Sequence, residues 1–493
     1  LRLRRTALVL ASLMLGATAR AQSPTPAPAA PTKVPTPAEA AQLVEPPIVP
    51  PDPIVLRRSP GWAVIHVLGV NVVFSAIGLT VLDKGYLKIS PKTVWHNVSG
   101  GWAWDDDAFT TNQFGHPYFG NLTFNAARSN GIGFWGSAIA SFAGSLFWEL
   151  IMETATPSIN DQLFTPAGGI MLGESLFRLG EAIRWRDRSL PSRALAVVVD
   201  PMGAVSRWTH GDAYALAPPP PRFGYLSFGW NGLSVDLGAP AGERFEGAIS
   251  RVHGALYQSY GIPIDRSFQP RRPLDHYDLL AEGDFSSKES SASLHVRGLI
   301  WGGAAELEQG GAVGGVMATY DFANLSPTRV SAVSLGLGGM AHQPIGDNQF
   351  LQAGIYAGVI PYGAAGVDVL ADPDDGESSH TSYHRGPGAQ GSLDVRFGWR
   401  DRGLAYLTTR GWYVNGNVFD DGSEWVSHTR LGLILGVIEP HAFQIEGMLA
   451  TRSGRFTDGR RDVFDSTAQL RISYTFVSDF DFGGGPATHA TPK

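Results

Sequence analysis

The sequence predicts an α+β multidomain chain: a small N-terminal helical domain followed by an antiparallel transmembrane β-barrel of about twelve strands. Three observations predict it. In the second half, apolar and polar residues alternate with a period of two, as in Leu393, Val395, Phe397 and Trp399 set against Asp394, Arg396, Gly398 and Arg400. Before about residue 190, long apolar runs rich in small residues replace that alternation, and their turn and cap residues suit helices. Charged residues make up only 17% and aromatic residues 11%, with abundant glycine. That mixture fits a barrel with Gly-rich strands and aromatic girdles better than a cytosolic enzyme of this size.

From the start of the chain, residues 1–21 read as a signal peptide. Arg2, Arg4 and Arg5 form a basic n-region, Thr6 to Ala17 an apolar h-region, and Ala19-Arg20-Ala21 a cleavage site. The h-region is too short to cross a bilayer. Without cysteine, the chain has neither disulfides, nor thiolate metal sites, nor a lipid-modified cysteine. The net charge of −7 becomes about −11 once the four export-segment arginines are removed, which argues against nucleic acid as a partner. Residues 22–56 are rich in Pro and Ala and read as a disordered linker. The uncharged run from Gly61 to Leu82 has the length of a membrane span, but His66, Asn71 and Ser75 interrupt it, so a packed or surface-lying helix stands beside a span. Trp95, Trp102 and Trp104 lead into the next segment and suit either a bilayer interface or a core. Asp105, Asp106 and Asp107 lack the spacing of a calcium loop and read as a solvated turn or cap.

Residues 57–190 form the expected helical domain, centred on the stretch from Asn112 to Glu174. Pro117 after His116 suits a first helical turn and Asn130-Gly131 its end, giving a helix that carries Tyr118, Asn121, Asn125 and Arg128. A second helix, within Ile132 to Met152, leads to Glu149 and Glu153, one turn apart. Ser158, Asn160 and Asp161 read as a turn, with Thr165 and Pro166 opening a third helix in which Gly169 and Gly173 admit a neighbouring backbone. The motifs HPYFGNLTFNAARSNG, WELIMET and PSINDQLFTPAGGIMLGE resemble the bacterial domain of unknown function 3943 (DUF3943) over roughly residues 95–185. The order His, helical Glu, Ser-x-x-Asp, Gly-x-x-x-Gly is also distantly similar to VanZ-like and YfiM-like envelope proteins. These resemblances imply an exported envelope protein and an architecture, but no reaction.

Residues 191–221 are expected to be a Pro-rich linker, and residues 222–476 the barrel. Besides the segment at 393–399 and a last one ending at Phe476, strand-like segments recur near 222–237, 246–258, 275–286, 291–302, 312–322, 329–340, 349–360, 403–415, 425–438 and 442–451. Loop lengths support this count: the longest gap, near 361–389, follows the seventh segment, whereas the links around Asp401-Arg402 and Glu439-Pro440-His441 are tight. The acidic stretch at 371–380 reads as an external loop, and residues 477–493 as a disordered tail.

His116, Glu149, Glu153 and Asp161, with Glu174 nearby in sequence, form the only candidate site of the helical part. Imidazole with carboxylates suits general acid/base chemistry or a divalent metal. Ser158 is a weaker nucleophile candidate because no strand-turn-helix elbow surrounds it. The plainer reading is that these side chains hydrogen-bond one another and fix helix packing. Two function classes follow. One is an outer-membrane barrel with a periplasmic or membrane-associated helical domain, in a structural, transport or envelope-maintenance role with outer-membrane lipid as partner. The other is an envelope enzyme acting on lipid or glycan headgroups through the His/Glu/Asp cluster. The sequence identifies no cofactor.

Overall fold

In the computed structural model, residues 58–484 are described except 82–83, 106, 187–188, 212–219, 237–250, 265–267, 287–289, 326–327, 367–382, 419–421, 458–461 and 479–480. The signal peptide, the Pro/Ala-rich linker and the acidic loop at 371–380 therefore lie outside the described residues.

Twelve antiparallel strands form one closed sheet: β1 (Arg222–Asp236), β2 (Arg251–Tyr260), β3 (Tyr277–Phe285), β4 (Ser290–Glu306), β5 (Gly311–Leu325), β6 (Thr328–Ile345), β7 (Gln349–Ala365), β8 (His384–Trp399), β9 (Gly403–Asn415), β10 (Gly422–Ile438), β11 (His441–Phe456) and β12 (Val463–Val477). Each strand pairs with its sequence neighbours, and β1 closes on β12 in the register Leu226↔Phe476, Phe228↔Tyr474, Trp230↔Ile472. Those pairs, with Val252, Phe285, Leu431, Phe443 and Ile445, put an exposed apolar surface on the outside of the wall. Closure satisfies the backbone of every strand and removes sheet edges, the condition for crossing lipid with strands. The links after β8 and β10 are short and the one after β7 is the longest, as the sequence predicts, and those after β9 and β11 are also longer than the tight pair. We call the end bearing the β7–β8 connection the loop end, and the opposite end the terminus end.

Inward-pointing side chains carry the alternating charge, but they are buried against one another. Contacts cross the lumen between strands far apart in the sheet. Arg297 of β4, besides donating to Asp278 of the neighbouring β3 (2.9 Å), pairs across the lumen with Asp394 of β8 at 2.7 Å. Arg410 of β9 reaches Asp321 of β5 at 3.2 Å, and Arg471 of β12 reaches Glu282 and Asp284 of β3 at 3.1 and 2.9 Å. Arg430 of β10 also pairs with Glu282. Apolar layers flank this charged middle. At the terminus end Phe223, Ile262, Ile264, Phe350 and Phe482 pack together; at the loop end Trp412, Val414, Val426 and Ile360 do. A cavity of about 30 Å³ remains between Tyr225, Tyr406, Arg396 and Glu446, room for one or two waters. Phe482 corrects the expectation for the tail: its ring is buried beside Phe223, so apolar burial orders the start of the segment read as disordered from polarity and glycine content.

The helices are α1 (Pro60–Thr80), α2 (Pro91–Ser99), α3 (His116–Arg128), α4 (Phe134–Phe147), α5 (Ile159–Arg186), α6 (Leu190–Val199) and α7 (Pro201–His210), with π-turns at Thr111–Gly115 and Trp148–Met152. Three differ from the sequence reading. The long helix α5 starts at Ile159, not at Thr165, and holds Pro166 in its interior; Ser158 Oγ accepts from Asp161 N and caps that earlier start. The expected linker at 191–221 contains α6 and α7, because its prolines fall in first turns behind the capping residues Ser189 and Asp200, where proline is compatible with a helix. Gly131, at φ 78°, ends α3 in the left-handed region. Gly120 of α3 and Gly169 of α5 cross so closely that a Cβ on either would collide with the other helix's backbone.

This bundle packs on the outside of the barrel wall. Strand parity decides the point: His295, Arg297, Thr319 and Asp321 point into the lumen, so Leu294, Val296, Tyr320 and Phe322, alternating with them, point outward. Those outward residues, with Tyr277 and Leu279, share one core with Phe164, Met171, Leu172 and Leu179 of α5. Tyr320 Oη donates to the Gln113 carbonyl at 2.6 Å and Tyr277 Oη to the Ser175 carbonyl at 3.1 Å. At about 1.5 Å per residue, the 28-residue α5 runs about 42 Å, from the β7–β8 connection to the β2–β3 connection. On the face away from the wall, α1 exposes Val64, Ile65, Val72 and Val73, and α4 exposes Trp135, Ile139 and Phe142.

Candidate functional site

The first turn of α5, the π-turn after α4, and the segment before α3 converge at the loop end of the bundle. The site begins with short-range geometry. Asn160 and Asp161 follow the capping Ser158, and Ser158 N donates to Glu149 Oε2 at 2.7 Å. The π-turn keeps Glu149 and Glu153 on one side, where their carboxyls hydrogen-bond each other. Trp148 Nε1 donates to Glu153 Oε2 at 3.2 Å. The Asn97 amide of α2 donates to the carbonyls of both glutamates, at 3.2 and 2.9 Å.

Asp161 faces a second carboxyl, Asp105, and these two also share a hydrogen bond. Asp105 Oδ1 accepts from Asn112 (2.7 Å) and Asn160 (3.0 Å). His116 stands at the edge, its Nε2 3.7 Å from Asp161 Oδ2, beyond a direct hydrogen bond. Its side chain is 20% exposed, against 5% for Asp161. The barrel contributes too: Tyr383 Oη accepts from Asn112 at 3.1 Å, and Arg385 donates to the Asp105 carbonyl at 2.9 Å.

The site is thus two carboxyl pairs, Asp105/Asp161 and Glu149/Glu153, joined through Ser158. Two adjacent buried carboxylates cannot both ionise cheaply, so each pair retains a proton. Burial, reinforced by the charge of Glu149, pushes Glu153 up to about 9. Burial also works against ionisation of Asp105, but hydrogen bonds from Asp161, Asn160 and Asn112 outweigh it and hold Asp105 below its ordinary value. Burial and the neighbouring Asp105 raise Asp107. Burial lowers His116 against the pull of Asp105, keeping the imidazole neutral at neutral pH. One group holds a proton, one lacks it, and a neutral imidazole stands at the opening: the arrangement can pass a proton between a carboxyl and an edge histidine. Among the described residues, no three His, Asp or Glu side chains are arranged to hold a metal.

His116, Glu149, Glu153 and Asp161 therefore share one region, whereas Glu174 is elsewhere. It lies 13 positions beyond Asp161 on α5 and pairs with Arg128 (2.7 Å) and Arg178 (2.8 Å), because two buried guanidinium groups outcompete any distant imidazole. Arg178 continues to Asp275 of the β2–β3 connection at 3.0 Å, tying α3, α5 and barrel in one buried chain. Sequence reasoning missed Asp105, Asn112 and Asn160 as members. The signal was present in the acid run at 105–107, but an acid run beside tryptophans more often marks a solvated turn.

Residues 101–202 match the family model "Domain of unknown function (DUF3943)", the family that the three motifs resemble. The distant likeness in motif order to VanZ-like proteins is not borne out. No curated protein matches the chain. Among solved structures, the chain is similar to the toluene transporter TodX of Pseudomonas putida (10% identity, 54% of this chain and 91% of that chain, TM-score 0.21). It is also similar to an outer membrane channel of Pseudomonas putida F1 (11%, 54% and 98%, TM-score 0.27) and to the outer membrane protease OmpT of Escherichia coli (10%, 52% and 96%, TM-score 0.15). At such scores these likenesses carry no argument about activity; the outer-membrane type of the barrel rests on its own closure and apolar outer wall.

Proposed function

We propose, taking residues 101–202 as a DUF3943 segment, that this chain is an outer-membrane protein whose work is done on the lipid side of its barrel wall. The barrel serves as a platform, and the helical bundle acts in the bilayer in envelope maintenance. The observation that carries this reading is the pairing of an occupied lumen with a bundle docked outside. A diffusion channel needs a wide polar path, and here arginine–carboxylate ties cross the lumen between two apolar layers. A bundle lying in lipid accounts for the apolar faces of α1 and α4, which a periplasmic domain would hide. The length of α5 exceeds a hydrocarbon core of about 30 Å, which leaves the carboxyl cluster at headgroup level.

The test is twofold. The full chain in planar bilayers should give no steady open-pore conductance, and a spin label at Val73→Cys should be accessible to oxygen rather than to a water-soluble relaxer. Ohmic pore conductance, or a water-exposed label, would sink the proposal.

A second reading, acid/base chemistry on lipid headgroups, is favoured by the half-buried His116 standing over the proton-sharing Asp105/Asp161 pair. Asp161→Asn keeps the shape and loses the shared proton. If the cluster is catalytic, this variant should lose outer-membrane barrier function, measured as sensitivity to large antibiotics, while heat-modifiable gel migration is unchanged; a wild-type barrier leaves the cluster structural.

A further inference from the structure

A groove of about 460 Å³ opens on the bundle's outer face between α4 and α5, within the range of small-molecule sites, about 300–1,000 Å³. Its lining is apolar, from Trp135, Ile139, Phe142, Leu163, Ala167 and Ile170, with a single polar side chain, Gln162. Gln162 is 8% exposed. Its Nε2 donates to the Phe142 carbonyl at 3.3 Å, which fixes the amide orientation and leaves Oε1 buried with no partner. A buried acceptor left bare is costly, so a groove that retains one is shaped for something that donates to it.

The groove faces away from the barrel and continues the apolar surface of α4, where Ile139 is 71% exposed. We propose that it binds the hydroxylated acyl chain of a membrane lipid. The methylene chain lies along the apolar walls, and the chain hydroxyl donates to Gln162 Oε1. Trp135 and Phe142 supply rigid aromatic contact at low entropic cost. Gln162 follows Asp161 directly in α5, so a chain seated here would bring its lipid headgroup toward the carboxyl cluster. The inference rests on the bundle lying in the bilayer, as proposed above, and names the ligand class it would meet there.

The test uses the full chain in detergent, native mass spectrometry, and two probes: a phospholipid with one hydroxylated acyl chain and its non-hydroxylated counterpart. Wild-type protein should retain the hydroxylated lipid about tenfold more tightly, the worth of one hydrogen bond to a buried partner. Gln162→Leu should erase that preference while still binding both lipids. Ala167→Phe, which fills the groove, should lose both. Equal retention of the two lipids by wild type, an unchanged preference in Gln162→Leu, or no bound lipid at all would overturn the proposal. So would efficient disulfide dimerisation of Ile139→Cys in membranes, which would assign the groove to a second copy; the chain's lack of cysteine makes that readout specific. The label at Val73→Cys separates the two claims: lipid contact there without groove binding defeats the groove alone, whereas water contact defeats the membrane placement beneath it.

Discussion

Glu153 makes the folded state sensitive to pH in a direction opposite to that of a salt-bridged acid. Its carboxyl is raised from 4.5 to about 9, so between those values the folded chain binds a proton that the unfolded chain has lost. Stability contributed by this group is therefore complete below pH 4.5 and declines as pH rises toward about 9. Thermal melts in detergent should show the bundle weakening from about pH 5 to about pH 8.5, and Glu153→Gln should flatten the trend; a wild-type melt that rises with pH would contradict the carboxyl pairing. Arg178 belongs to the same scale. It is buried between Glu174 and Asp275, and Arg178→Ala leaves Asp275 without its charged partner, at a cost of about 3–5 kcal/mol. Faster protease cleavage within 187–221 in this variant, with the barrel intact, is the expected readout. At this scale the sequence was informative about residue type and not about partners. Glu174 and Glu149 look alike in a string of letters, and only the arrival of Arg128 and Arg178 at one of them separates an ion pair from a proton-sharing acid.

Among the elements, the crossing of α3 and α5 depends on two glycines without which the helices would stand apart. Gly169→Val should disrupt the crossing and with it the carboxyl cluster one helix turn or two above, destabilising the bundle by at least the about 1–3 kcal/mol of an overpacked core; a unique, unshifted melting curve would contradict the close approach. The strands were legible because their period of two is imposed by lipid on one side and lumen on the other, so nearly every residue carries the signal. Helix boundaries were less so. Pro166 reads as a start signal, yet the helix begins seven residues earlier because Ser158 caps it there and a proline deep in the first turns loses only one hydrogen bond. The prolines at 191 and 201 misled in the opposite way: proline density suggests a linker, but each sits just behind a capping side chain.

For the whole molecule, what the sequence could not convey was the side of the wall on which the helices lie. Outward and inward faces of β3, β4 and β5 are both rich in buried residues, and only the register places Tyr277 and Tyr320 outside and Asp278 and Asp321 inside. That placement constrains how the protein reaches its destination. Tyr277 Oη shares its one hydrogen between the Ser175 carbonyl and Gln258 Oε1, Tyr320 Oη donates to the Gln113 carbonyl, and all of these groups occupy the outer wall or the helices against it. If the strands entered lipid alone, the Tyr320 hydroxyl would meet hydrocarbon without its Gln113 partner, and Tyr277 would keep only Gln258 of the neighbouring strand. The helices are made first and must already lie beside the strands when the wall is committed to the bilayer, so the molecule has an order of assembly written into it. A barrel fragment starting at Pro221 should consequently insert poorly on its own and be rescued by co-expressing the helical half as a separate chain.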